Sequence, residues 1–203
     1  MLIKVCGMRD PANIAEVERI GIDLMGFIFY EKSSRYVSQV PRYLPTRCAR
    51  VGVFVNAPVS EIVSAVSIYG LDYIQLHGDE SQEFVRSLRK ESGDRVKLIK
   101  AVRVRCPEDA AAASLWEGLA DMLLFETAST SYGGSGHIFD WNMLNCYQGS
   151  TPFLIAGGIG PENASQIKAF RHPSFLGVDL NSRFETAPGI KDADKLKNFI
   201  THL

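Results

Sequence analysis

Short apolar runs rich in Val, Ile, Leu and Phe recur along the whole chain and alternate with stretches of helical spacing. The runs cover residues 3–6, 24–29, 50–55, 73–76, 97–102, 122–125, 153–156 and 176–180. Several are nearly continuous in large apolar side chains, the pattern of strands covered on both faces. Helical spacing falls between and after them, at 11–20, 59–68, 81–89, 107–116, 161–170 and 192–200. Asp10 is placed to cap the first of these, with Pro11 at the first helical position. Segments 37–44 and 141–144 carry weaker patterns and read as short or irregular. Strand–helix alternation predicts a parallel sheet in an α/β fold. Eight strands share 203 residues, and the resulting share of about 25 residues per unit is near the minimum for a strand, a loop and a helix. This favours a closed (β/α)8 barrel spanning 1–203 as one domain. The competitor, a doubly wound open sheet, usually carries GxGxxG after its first strand. That turn here reads Cys6-Gly7-Met8-Arg9.

Charge and composition then narrow the partners. Lys and Arg total 22 against 23 Asp and Glu, a net charge of −1, so no basic excess is present to neutralise nucleic-acid phosphates. No apolar run approaches the ~20 residues of a membrane span, and the opening MLIKVCGMRD does not read as a signal peptide. The expectation is a cytoplasmic protein with reduced thiols. Cys6, Cys48, Cys106 and Cys146 are scattered and form no metal-binding spacing. Whether such a chain is a monomer or a homodimer is left open.

In a barrel of this type the site lies at the C-terminal ends of the strands. Those ends carry Cys6-Gly7, then Lys32-Ser33-Ser34-Arg35 after the second strand, and Gln75-Leu76-His77-Gly78 at the fourth. Glu126-Thr127 ends the sixth, Ala156-Gly157-Gly158-Ile159-Gly160 the seventh, and Asp179 with Asn181-Ser182-Arg183 the eighth. Gly157 and Gly158 suit close approach of backbone N–H groups to an anion, reinforced by a helix opening at Pro161. Asn181, Ser182 and Arg183 supply the partner loop, so phosphate is the expected anion. Tyr132-Gly133-Gly134-Ser135-Gly136 reads as a cover over a small ligand. Lys4 shares a strand face with Cys6 by its i, i+2 spacing, which leaves its effect on the thiol undetermined. Asp179 suits either substrate hydroxyls or buried backbone N–H groups, and His77 either substrate or a structural hydrogen bond.

Several of these pieces occur in a telling order. Lys4-Val5-Cys6-Gly7, Gly26-Phe27-Ile28-Phe29, Ser34-Arg35-Tyr36-Val37 and Val51-Gly52-Val53-Phe54-Val55-Asn56 come first. Gln75-Leu76-His77-Gly78, the Tyr132 to Gly136 cluster, Phe139-Asp140-Trp141, Ala156-Gly157-Gly158, Gly177-Val178-Asp179 and Pro188-Gly189-Ile190-Lys191-Asp192 follow. Over essentially its whole length the chain resembles the phosphoribosylanthranilate isomerase family of tryptophan biosynthesis. The resemblance implies a (β/α)8 barrel that uses neither metal nor organic cofactor. It also implies an Amadori rearrangement of N-(5-phosphoribosyl)anthranilate to 1-(2-carboxyphenylamino)-1-deoxyribulose 5-phosphate. By the same resemblance Cys6 is the general base, Arg35 meets the anthranilate carboxylate, and Asp179 lies near the sugar hydroxyls. The family's general acid is an aspartate, and Glu126 stands in its place here, one methylene longer. Where many members have a Ser-Gly pair, this chain has Ser182-Arg183. Arg183 is expected to add charge near the phosphate. The rival readings are a catalytically altered phosphosugar-binding barrel and a related phosphosugar isomerase. The histidine-pathway isomerase uses an aspartate as base where Cys6 stands.

Overall fold

The computed structural model describes residues 1–93, 95–127 and 140–203. Eight parallel strands close into a barrel in sequence order: β1 (Leu2–Val5), β2 (Leu24–Ile28), β3 (Ala49–Phe54), β4 (Tyr73–Leu76), β5 (Lys97–Val104), β6 (Met122–Thr127), β7 (Phe153–Ile155) and β8 (Phe175–Leu180). Closure is made by β1 against β8, in the register Lys4↔Asp179 and Val5↔Leu180. A small antiparallel hairpin, β9 (Glu185–Ala187) and β10 (Ile190–Lys191), follows β8.

Residue alternation along the strands builds two cores. Val5, Phe27, Ile74, Phe125 and Val178 point outward and pack in the larger cluster. Cys6, Leu24, Val51, Val53, Ile99, Ala101, Leu124 and Ala156 fill the barrel interior. Both faces of a strand are therefore dry, which is why the runs look nearly continuous in apolar residues.

Six α-helices lie among the described residues: α1 (Pro11–Glu18), α2 (Val59–Tyr69), α3 (Gln82–Ser92), α4 (Pro107–Ala112), α5 (Ala164–Ala169) and α6 (Ala193–Thr201). Their starts follow local chemistry. Asp10 accepts from Asn13 N at 2.8 Å, Ser81 Oγ from Phe84 N at 3.1 Å, and Asp192 from Lys195 N at 2.9 Å. α2 ends where Gly70 turns left-handed, at φ 57°.

The expected helix at 107–116 is divided: α4 tightens into a 3-10 turn over Ala113–Trp116. The expected helix at 161–170 likewise begins as a 3-10 turn, Pro161–Asn163, and only Ala164–Ala169 is α-helical. The Asn163 side chain accepts from Gly160 N at 2.8 Å and closes this first turn. After β2 no α-helix forms. Residues 31–48 follow an irregular path interrupted by Pro41 and Pro45 and pinned by the Glu18 carboxylate. That carboxylate accepts from Thr46 N and Arg47 N at 2.5 Å each, and from the Tyr43 hydroxyl. Residues 141–144 lie within a 3-10 helix, Trp141–Cys146. No helix among the described residues is long and apolar enough to cross a membrane.

Candidate active site

The C-terminal strand ends enclose an open-mouthed cavity of about 750 Å³, solvent-open space included. Eight of the ten expected site residues line it: Cys6, His77, Glu126, Gly157, Gly158, Asp179, Asn181 and Ser182. Ile28, Val53, Val55, Ala156 and Ile159 give the same cavity apolar walls, the mixed lining expected of a small-molecule site. Tyr30 and Ser33 also line it. Ser33 belongs to the Lys32-Ser33-Ser34-Arg35 run read at this rim, whereas sequence reading passed over Tyr30, whose only signal was a place just beyond the end of β2.

Cys6 is buried on the interior face, one residue past β1. Its backbone is fixed by a bond from Cys6 N to Leu180 O at 2.9 Å. Space for its sulfur comes from Gly26 on β2, where an added Cβ would stand only 2.7 Å from Sγ. Burial pushes the Cys6 thiol up; Lys4 opposes that rise, Asp179 adds to it, and Lys191 opposes it. At rest Cys6 is therefore a thiol.

Glu126 projects from β6. Gln75 Nε2 donates to His77 Nδ1 at 2.9 Å, which assigns the ring proton to Nε2, and Nε2 lies 3.1 Å from Glu126 Oε1. Arg103 Nε stands 3.7 Å from the same oxygen. Burial pushes the Glu126 carboxyl up, but His77, followed by Arg103 and Lys100, outweighs it and holds the group below its ordinary value. The resting site therefore holds a thiol just past β1 and a carboxylate on β6. Beneath His77, Lys100 Nζ donates to Gly78 O at 2.7 Å and meets Glu80 Oε2 at 3.0 Å. Glu80 Oε1 in turn accepts from Asn56 N at 2.9 Å. This buried pair ties β5 to the turn that carries His77.

Gly157 and Gly158 are consecutive left-handed residues, φ 86° and 69°, so their backbone turns sharply at the mouth. At Gly157 a side chain would also meet Thr127 N and Oγ1 at 2.9 Å. Because Pro161–Asn163 is a 3-10 turn and Gly160 N is taken by Asn163, this loop presents the Gly157-Gly158 backbone to the mouth rather than the N-terminus of an α-helix. Asn181 and Ser182 face it from the end of β8.

The remaining two expected residues stand outside the cavity lining. Arg183 Nη2 is paired with Glu162 Oε1 at 2.7 Å and its side chain is 46% exposed. Its charge is thus directed to a neighbouring loop rather than to the cavity. Arg35 is bound along one edge by Glu185: Nε to Oε1 at 2.8 Å and Nη2 to Oε2 at 2.6 Å. That bonding raises its affinity for its proton. Its stem crosses Gly7, where a Cβ would lie 2.6 Å from Arg35 Cδ, and the positive φ of 77° admits glycine. Glu185 also accepts from Lys191 Nζ at 2.6 Å and from Gly189 N at 3.0 Å. The β9–β10 hairpin is therefore what fixes the guanidinium. The glycine cluster 132–136 lies outside the described residues, as does residue 139. Among the described residues no cluster of His, Cys, Asp and Glu is arranged to hold a metal ion.

A barrel whose strand ends gather a buried thiol, a carboxylate–imidazole pair and a left-handed glycine turn on one cavity belongs to the class of (β/α)8 enzymes acting on small molecules. Comparison with known proteins narrows the class. The sequence profile of the N-(5'phosphoribosyl)anthranilate (PRA) isomerase family matches residues 3–202. The isomerase of that name from Parabacteroides distasonis is 49% identical over 209 residues, covering 100% of this chain and 93% of that protein. The one from Phocaeicola vulgatus is 47% identical over 203 residues, covering 100% and 98%. Among solved structures, the phosphoribosyl anthranilate isomerase of Thermotoga maritima superposes with a TM-score of 0.81 at 33% identity, covering 100% of this chain and 98% of that one. A phosphoribosyl anthranilate isomerase in complex with reduced 1-(o-carboxyphenylamino)-1-deoxyribulose 5-phosphate gives 0.78 at 30% identity, covering 100% and 97%. The chain belongs to the N-(5'-phosphoribosyl)anthranilate isomerase family.

Proposed function

We propose that this chain catalyses the Amadori rearrangement of N-(5'-phosphoribosyl)anthranilate in tryptophan biosynthesis, with Glu126 as general acid and Cys6 as general base. The observation that carries this reading is the placement of both groups on one cavity between an apolar wall and the Gly157-Gly158 turn. The apolar wall suits an aromatic ring, and the glycine turn with Asn181 and Ser182 suits the phosphate. Arg35, held by Glu185 along one edge, offers its other edge to the anthranilate carboxylate. Asp179 and His77 meet the sugar.

The proton ledger is simple. Protonated Glu126 gives its proton to the ribose ring oxygen as the anthranilate nitrogen forms the iminium and the ring C–O bond breaks. Cys6 thiolate then takes the C2′ proton, leaving an enolamine that tautomerises to the ketone. The productive pair is therefore carboxylic acid plus thiolate, the reverse of the resting distribution. Both forms hold one shared proton, so their ratio is independent of pH between the two pKa values. Activity then rises as pH climbs through the lower, carboxyl pKa and falls through the higher, thiol one.

The test mixes purified chain with freshly formed phosphoribosylanthranilate and follows loss of its fluorescence. Loss in proportion to enzyme is expected; a rate equal to spontaneous decay would refute the proposal.

A further inference from the structure

Lys4 has no part in the chemistry above, yet it is a charged residue with 0% exposure inside the barrel floor. Its Nζ lies 2.7 Å from Asp179 Oδ2, across the β1–β8 seam that closes the barrel. A buried ion pair is a poor stability device, since well-packed apolar residues usually do as well or better. Its position is more telling. Lys4 and Cys6 are two residues apart on one strand face, so the ammonium sits one layer below the sulfur. An ammonium has three donors, and Asp179 accepts one. The Asp179 carboxylate lines the cavity, and its second oxygen is buried with no hydrogen-bond partner among the described residues.

We propose that Lys4 is a positioning residue for the Cys6 base: its ammonium, shared between Asp179 and the sulfur, balances the negative charge that Cys6 carries before it removes the C2′ proton. This rests on the function proposed above for Cys6. Burial pushes the Lys4 ammonium down, but Asp179 and then Cys6 outweigh it and hold it above its ordinary value, while burial pushes the Asp179 carboxyl up against the pull of Lys4. The other groups facing the thiol are Lys191 on β10 and Arg35 beyond β2, while His77 and Glu126 stand across the cavity. Lys191 is bonded to Asn181 Oδ1 at 2.9 Å and to Glu185 at 2.6 Å. Lys4 is thus the cation whose partner also borders the sulfur, and the two members of the pair act on Cys6 with opposite sign.

That opposition supplies the test. Alkylation of Cys6 by iodoacetamide at pH 8 is measured on the full chain by peptide mass mapping, with Cys6→Ser confirming the peptide. A neighbouring charge moves a thiol by about one unit or more, and the accompanying change in nucleophilicity cancels roughly half of that in rate. Lys4→Met is therefore expected to slow alkylation at least about threefold, and Asp179→Asn to speed it by a similar factor. Two variants moving in the same direction, or no change in either, would overturn the proposal. If Lys4→Met does not fold, Asp179→Asn decides alone: faster alkylation supports the role, and an unchanged or slower rate refutes it. The readout needs no substrate. Turnover by Cys6→Ser tests the proposed function separately, because activity surviving that change would remove the base whatever Lys4 does to the thiol.

Discussion

Replacing Gly26 with alanine is the most local way to disturb Cys6, the proposed base, without changing it. The added Cβ would stand 2.7 Å from Cys6 Sγ, 3.1 Å from Cys6 Cα and 3.2 Å from Cys6 Cβ. Ordinary contacts between such atoms are about 3.5–4.0 Å, so the sulfur must move by roughly 1 Å. The backbones have little room to separate. β1 and β2 are paired at Lys4↔Leu24 and Val5↔Met25, and Met8 N bonds to Gly26 O at 3.0 Å. Rotation of the Cys6 side chain is the cheaper response, and on the proposed mechanism it would take the sulfur off the C2′ proton. A displacement of about 1 Å can cost on the order of 10²-fold, or about 2.7 kcal/mol at 1.36 kcal/mol per tenfold. Overpacking costs a further ~1–3 kcal/mol of stability. The assay is kcat from the fluorescence decay of phosphoribosylanthranilate, with thermal unfolding measured on the same sample. A folded variant whose kcat is within twofold of the unsubstituted enzyme would refute the idea that Gly26 sets the position of the base.

His77→Ala removes the first of the groups that hold the Glu126 carboxyl down, while burial continues to push it up. The acidic limb of kcat/KM is expected to move to higher pH, and an unmoved limb would show that Glu126 does not govern it. Gly157→Ala forces a side chain into a φ of 86° and against Thr127. Strain of this kind costs about 1–3 kcal/mol, so KM should rise about tenfold or more with a smaller change in kcat. Arg183→Ala breaks only a half-exposed pair with Glu162, and such pairs are worth about 0–1 kcal/mol. KM and kcat should each stay within about threefold, whereas a large rise in KM would restore Arg183 to the phosphate site.

Much of this architecture was legible because its causes are local. Strand positions follow from apolar runs, and the cap at Asp10 follows from a side chain that accepts from the N–H three residues on, a local arrangement the structure repeats at Ser81 and Asp192. The weak spacing at 37–44 reads as short or irregular, and the structure has no α-helix there, where Pro41 also opposes one. The division of 161–170 was missed because apolar spacing over so short a segment does not distinguish a 3-10 first turn, Pro161–Asn163, from the α-helical Ala164–Ala169. The ion pairs were invisible for a different reason. Lys4 and Asp179 are 175 positions apart, and Arg35 and Glu185 are 150 apart. Only closure of the barrel and the fold of the β9–β10 hairpin bring them together. A trace was nevertheless present. Lys4 between Ile3 and Val5, and Lys100 between Ile99 and Ala101, are charges inside runs that are dry on both faces, and such a residue requires a buried partner.

The division of labour between Cys6 and Glu126 is tested most directly by separating binding from chemistry in two variants. Affinity for reduced 1-(o-carboxyphenylamino)-1-deoxyribulose 5-phosphate and turnover of phosphoribosylanthranilate are to be measured side by side for Cys6→Ser and Glu126→Gln. Loss of a general acid or base typically costs about 10²–10⁴-fold, so turnover should fall by at least about 10²-fold in each while affinity stays within about threefold. Turnover near that of the unsubstituted enzyme in either variant would contradict the role assigned to that residue.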